Sequence, residues 1–270
     1  MTTGVATAVV RRARLRFRLP LALAAVLVGT AIAYPLSSGA GRNWVSWAIV
    51  VLGAALSVVH AWVSRGPRTG AGVLLLVTTT AVAFEAIGLA TGFPYGRYSY
   101  AATLGPTLLG VPFLVPLAWL MMAWPSWVLA VRLVPSRRLA RVSAAAAIFA
   151  GWDVVLDPQM VQAGYWTWAH PAPGLPGIDT VPLTNLAGWL LAGGVLMALL
   201  DVLVTRPSVP GAPLIGDAAP LLALGWMTLG GALAHAGWLG LPGSAAWGAA
   251  LAVPVLVALV VQRRRIRVRG

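Results

Sequence analysis

The chain contains no cysteine and no lysine, and charged residues of either sign make up only 9% of its 270 positions. Without cysteine there are no disulfides, no thiol nucleophile and no thiolate-bound metal, and cysteine usage says nothing about the redox compartment. Without lysine, chemistry that runs through a Schiff base is excluded, retinal attachment included. Soluble domains carry roughly 25% charged residues, so an ordinary water-soluble enzyme is excluded as well. Acids are the scarcest charges: Glu85, Asp153, Asp157, Asp179, Asp201 and Asp217 are all there are.

Apolar residues fill the gap. Hydrophobic side chains make up 59% of the sequence, and the mean hydropathy is +0.85. The net charge of +13 comes from arginine alone. In a soluble protein it would suggest nucleic acid; here the arginines flank apolar stretches, so they orient the chain in lipid and no nucleic-acid partner is expected.

Spans of roughly 20 residues each are predicted over 19–36, 44–63, 71–90, 107–133, 139–157, 183–204, 218–236 and 244–262. The expected fold is an all-α, polytopic transmembrane helix bundle of about eight spans. It forms a single integral membrane domain over 1–270, with no internal repeat and no appended soluble domain. Pro112, Pro116 and Pro125 predict a kinked or partly re-entrant fourth segment, which neighbouring helices can tolerate.

Arginines in alternate connections divide 17 to 2, with only Arg42 and Arg97 on the poorer side. By the positive-inside rule both termini are expected in the cytoplasm, including the basic stretches 1–18 and 263–270, with the protein in the cell membrane. The first span has the basic-then-apolar layout of a signal peptide, with Ala31-Ile32-Ala33 resembling a cleavage site; it is read as a retained anchor. Trp44, Trp47, Trp166, Trp168 and Trp238 near outer span ends, and Trp62 near an inner one, fit an aromatic belt.

An ionised side chain at mid-helix in lipid costs about 2.5–3.5 kcal/mol, so the acids are informative. Glu85 lies in the third span, and Asp153 and Asp157 lie near the end of the fifth. Both spans run outward, which puts the three acids at similar depth in the outer half. The i,i+4 spacing sets Asp153 and Asp157 on one helix face, and Pro158 is expected to end that helix. The bland alternative is that Asp157 ties down the helix end while Asp153 bonds a neighbouring helix. Asp201 and Asp217 lie toward the other face.

Two long outer connections carry most remaining polar and aromatic residues, one over 91–100 and one from Gly164 to Asn185. Their glycines and prolines imply fixed turns. Arg97 is expected either to pair with one of the acids or to contact lipid phosphate. His60, His170 and His235 lie on separate segments and form no metal signature, which disfavours a di-iron hydroxylase. His170 is a candidate proton shuttle or a structural interfacial residue. A single DxxxD pair without a second Asp-rich motif poorly supports a Mg²⁺–diphosphate site.

The stretch from Glu85 to Tyr98 (EAIGLATGFPYGRY) resembles the CruF-type carotenoid biosynthesis membrane proteins, the carotenoid 1,2-hydratase or bisanhydrobacterioruberin hydratase family. So do Trp152 to Pro158 (WDVVLDP), Gly164 to Trp168 (GYWTW) and Pro182 to Trp189 (PLTNLAGW). The motifs cover the third to sixth spans, about half the chain; the flanking spans add none. The resemblance implies hydration of the terminal double bond of an acyclic carotenoid end group, of lycopene, γ-carotene or C50 bisanhydrobacterioruberin type.

Such a reaction requires a proton on the less substituted carbon and then water capture of a tertiary cation, with no cofactor and no metal. A carboxyl group in apolar surroundings can keep its proton at neutral pH and serve as general acid. Asp153 is the expected proton donor, with Asp157 or Glu85 orienting water. Tyr95, Trp152, Trp166 and Trp168 are expected to face the cation, Asn185 to hold water or an acid, and Arg97 to keep one carboxylate ionised. Gly88, Gly92, Gly105, Gly110 and Gly188 are expected to make room for the polyene or allow close helix approach. The expected partners are a carotenoid within the bilayer, water and other carotenoid enzymes. Competing readings are a cyclase, isomerase or C50 accessory factor, a small transporter or proton-coupled channel, and a structural carotenoid-binding protein.

Overall fold

The computed structural model of the chain describes residues 16–204 and 214–269. Arg11, Arg12, Arg14 and Arg206, which contribute to the arginine asymmetry, lie outside the described residues. Helices dominate: α1 (Arg18–Ala33), α2 (Gly39–Arg65), α3 (Pro67–Thr91), α4 (Leu114–Leu133), α5 (Arg138–Gln162), α6 (Leu183–Leu203), α7 (Ala218–Leu239) and α8 (Pro242–Arg269). Six of them, α2 to α7, are long and apolar enough to cross a membrane, whereas α1 and the apolar part of α8 are shorter. The bundle is thus that of an integral membrane protein, with six such helices where eight spans are expected.

Local sequence explains where the helices stop. Gly66 adopts φ +97° and its N–H closes on the Trp62 carbonyl at 2.8 Å. Only glycine takes that conformation without cost, and Pro67 follows as the first residue of α3, where its missing N–H has no helical role. The fourth segment begins later than expected. Thr107–Leu108 (β2) and Val111–Pro112 (β3) form a tight antiparallel hairpin, so Pro112 precedes α4. Pro116 falls in the first turn of α4, where backbone N–H groups are unpaired anyway, and Pro125 alone is interior.

The fifth helix corrects the expectation for Pro158, because α5 continues through it to Gln162. Proline forfeits one backbone hydrogen bond, but its φ is already helical. Inside a packed bundle the chain has no better conformation to leave for.

At the centre stands α4, apolar on all sides and packed against α2, α3, α5 and α7; Trp119, Trp124 and Trp127 on it are fully buried. The two long outer connections do not lie separately. Tyr98–Tyr100 (β1) pairs antiparallel with Trp166–Trp168 (β4), setting Tyr98 opposite Trp168 and Tyr100 opposite Trp166. Strand alternation turns these four aromatics inward and leaves Ser99 and Thr167 exposed. The resulting ribbon roofs one end of the bundle.

Candidate active site

Under that roof lies a cavity of about 100 Å³. Glu85 from α3 and Asp157 from α5 both line it, each 3% exposed. Among the described residues Glu85 has no cationic partner. Its Oε2 accepts hydrogen bonds from the hydroxyls of Tyr98 at 2.5 Å and Tyr100 at 2.7 Å, and its Oε1 from Trp119 Nε1 at 3.2 Å. Burial, and then the Glu85 charge beside them, raises the Tyr98 and Tyr100 hydroxyls well above their ordinary range, so both remain donors at any physiological pH. Three neutral donors fix the orientation of this carboxylate without a counter-charge.

Asp157 accepts from Trp166 Nε1 at 3.1 Å through Oδ1, and from Asn185 Nδ2 through Oδ2. The same amide donates to Asp153 Oδ2 at 2.9 Å. Asn185 sits in the first turn of α6 and so bridges two carboxyl groups one helical turn apart on α5. Asp153 is placed differently from the other two acids. It lines a separate pocket of about 20 Å³ that shares Asn185 with the main cavity, and its Oδ1 is buried with no hydrogen-bond partner among the described residues. The three expected acids therefore converge on one cluster, but only Glu85 and Asp157 face the main cavity.

Tyr95, Trp152, Trp166, Trp168 and Asn185 line that cavity too. Trp166 and Trp168 are therefore cavity walls as well as residues near a span end. Arg97 does not pair with an acid: it is exposed, because the alternation that turns Tyr98 and Tyr100 inward turns position 97 out. His170 is likewise exposed, past the end of β4. Reading the sequence alone missed Tyr98, Tyr100, Trp119, Trp189 and Gln159, all of which line the cavity. Tyr98 and Trp189 stand inside the quoted motifs; the Tyr-Ser-Tyr alternation was the available signal for the tyrosine pair.

Of the two uses expected of the glycines, Gly88 and Gly188 serve close approach and leave no room for a polyene. A Cβ on Gly188 would come within 2.6 Å of Tyr95 Cδ1, and one on Gly88 within 2.8 Å of the Tyr98 hydroxyl. These two positions let the 91–100 connection press onto α3 and α6, seating the roof rather than leaving space beneath it. Gly92, Gly105 and Gly110 occupy turns.

The remaining intramembrane acids sit at the opposite end, each on arginine. Arg141 grips Asp201 with Nε to Oδ1 at 2.7 Å and Nη2 to Oδ2 at 2.9 Å, and Arg138 approaches at 3.3 Å. Arg132 Nε meets Asp217 Oδ2 at 2.6 Å. His60 lies 3.5 Å from Asp217, with its Nδ1 accepting from Trp124 Nε1 at 3.0 Å.

Fold and site together define a polytopic membrane protein that encloses acids and aromatic rings in an internal apolar chamber. The chain belongs to the family described as "Carotenoid biosynthesis protein", whose profile matches residues 45–262, and it is of the CruF type that its motifs resemble. It is similar to a bisanhydrobacterioruberin hydratase of Haloarcula japonica, with 35% identity over 132 residues. That match covers 47% of this chain and 43% of the relative, so the chain matches less than half the length of the curated protein. No solved structure matches.

Proposed function

We propose that the protein adds water across the terminal C1–C2 double bond of an acyclic carotenoid end group, of lycopene, γ-carotene or C50 type, within the cell membrane. The observation that carries this reading is the pair Glu85 and Asp157 facing one apolar, aromatic-walled cavity, each held by neutral donors only. The similarity to a named hydratase points the same way. With eight spans and both termini in the cytoplasm, the cavity lies near the outer boundary, close to water.

Asp157 and Asp153, bridged by Asn185, share one proton, and Asp157 presents it to the cavity. It moves to the less substituted alkene carbon as the π bond breaks, leaving a tertiary cation. Trp119, Trp152, Trp166 and Trp189 face that cation, each worth about 0.5–2 kcal/mol. Glu85 orients the attacking water and accepts its proton as the C–O bond forms. The proton then returns through cavity water to the aspartate pair, so the protein ends as it began. This reverses the simplest expectation, in which Asp153 is itself the donor: Asp153 instead stands behind Asp157 and sets where the shared proton rests.

The test is expression in a host that makes lycopene or a C50 precursor, followed by pigment mass analysis. The expected pigment is heavier than its precursor by one water; an isomer of unchanged mass would mean cyclisation, and no change would sink the reading. Asp157→Asn is the paired control. Removing a general acid costs about 10²–10⁴-fold, so hydrated pigment should all but vanish while the protein still accumulates in the membrane.

A further inference from the structure

Apolar ligand sites for drug-sized molecules run roughly 300–1,000 Å³, and the cavity that holds the acids has about 100 Å³. It accommodates an end group; a polyene shaft must leave it somewhere. A second cavity of about 190 Å³ lies between α1, α5 and α7. The two share six wall residues: Tyr34, Ile49, Trp152, Leu156, Gln159 and Met227. On its far side the second cavity reaches Ile32, Leu36, Leu233 and Trp238, which are 49%, 71%, 61% and 60% exposed, a large apolar rim on a surface that faces lipid.

Local structure is distinctive along this junction. The wall contributed by α7 is irregular, with π-helical turns at Trp226–Gly230 and His235–Leu239, a feature that tends to mark functional segments. Gln159, at the junction, is drawn aside: its Oε1 accepts from His235 Nε2 at 2.9 Å, and His235 Nδ1 is held by Ser244 Oγ at 2.6 Å. The Tyr34 hydroxyl is buried at the same junction, beside Gln159. Neither the tyrosine nor the His235–Gln159–Ser244 chain is used by the hydration chemistry.

We infer that the second cavity is the shaft-binding site and lipid portal of the protein: the conjugated polyene lies between α1 and α7, passes Tyr34 and Gln159, and delivers its end group to Glu85 and Asp157. The occupant is an extended, unsaturated hydrocarbon chain entering sideways from the bilayer. This rests on the proposed function for the identity of the end group, but its test does not require turnover.

Because the native chain has no cysteine, a single introduced thiol reports on one place. Ala234→Cys and Ala31→Cys line the second cavity from opposite walls, and Leu75→Cys on α3, 65% exposed, is the lipid-facing control. Each full-length variant, in membranes with and without lycopene, is alkylated with N-ethylmaleimide. The expected result is at least a fivefold slowing by lycopene at 234 and 31, none at 75, and the same protection in an Asp157→Asn background that hydrates nothing. Alkylation rates at 234 and 31 that lycopene leaves unchanged would overturn the portal. Protection without any hydrated product from the native chain would instead overturn the hydratase reading and leave the portal standing. As a second measurement, Ala234→Phe fills the cavity and should cut pigment retained by the purified protein at least fivefold; unchanged retention in a variant with native elution and melting behaviour contradicts the proposal.

Discussion

The two ends of this bundle handle buried acids in opposite ways. At one end Asp201 and Asp217 are met by Arg141, Arg138 and Arg132. At the other, Glu85, Asp153 and Asp157 are met by tyrosine, tryptophan and asparagine. An arginine locks a carboxylate in its charged form and spends its hydrogen-bonding capacity on a fixed fork. A neutral donor stabilises without locking, so the group remains free to take or give a proton. Both ends bury carboxyl groups; what differs is whether a guanidinium or a neutral donor holds them.

The sharpest way to break this contrast is to make the same change at both ends. Asp157→Asn should lower carotenoid hydration by about 10²–10⁴-fold with little effect on thermal unfolding in detergent. Asp201→Asn should do the reverse. It leaves Arg141 and Arg138 without their shared counter-charge, so the melting temperature should fall, and turnover per folded molecule should stay within twofold. Pigment analysis and a melting curve on each variant read both halves. If Asp201→Asn abolished hydration without loosening the fold, the division between the two ends would be false.

A smaller effect follows from the donors on Glu85. Tyr100→Phe keeps the ring against Trp166, centroids 5.7 Å apart, and deletes only the hydroxyl that Glu85 accepts at 2.7 Å. A hydrogen bond to a charged group is worth about 1.5–3 kcal/mol, so hydration should fall on the order of 10- to 100-fold. Retention of the pigment by the purified protein should not change, because the shaft does not touch this hydroxyl. A parallel loss of retention would mean that Tyr100 builds the cavity instead of tuning Glu85.

Sequence legibility divides along the same line. Apolar runs located the eight helices of the described residues to within a few residues at most ends, and six of them have the length and hydropathy that a bilayer imposes. The i,i+4 spacing brought Asp153 and Asp157 together, and the chain positions of Asp201 and Asp217 separated them from that pair. What stayed hidden depends on contacts between distant segments. A three-residue alternation such as Tyr98-Ser99-Tyr100 is too short to stand out as a strand, and its partner strand begins at Trp166. Without that pairing nothing assigns Tyr98 and Tyr100 to Glu85, or turns Arg97 away from it. Pro158 misled because a local helix-breaking rule gave way to the packing around it. Gly88 and Gly188 left two uses open because small residues look the same whether they admit a ligand or a neighbouring segment.

Arg97 supplies the finest discrimination. It is the one arginine in the roof strand region, within one residue of a tyrosine that bonds Glu85, and sequence alone invites an ion pair there. In the folded chain its neighbours in β1 alternate: Tyr98 and Tyr100 face the cavity while Arg97 and Ser99 are exposed. Its backbone carbonyl accepts from Ala169 N–H at 2.8 Å, which any residue can reproduce. Arg97→Ala should therefore leave hydration within twofold, and shift melting by no more than the ~0.5 kcal/mol typical of a surface change. Moving the charge one place is the informative counterpart. Tyr98→Arg would turn a guanidinium inward against Glu85, lock that carboxylate as Asp201 is locked at the far end, and stop hydration. If Arg97→Ala proved as damaging as Tyr98→Arg, arginine would belong to the chemistry at both ends, and neutral donation could not be what sets the acid cluster apart.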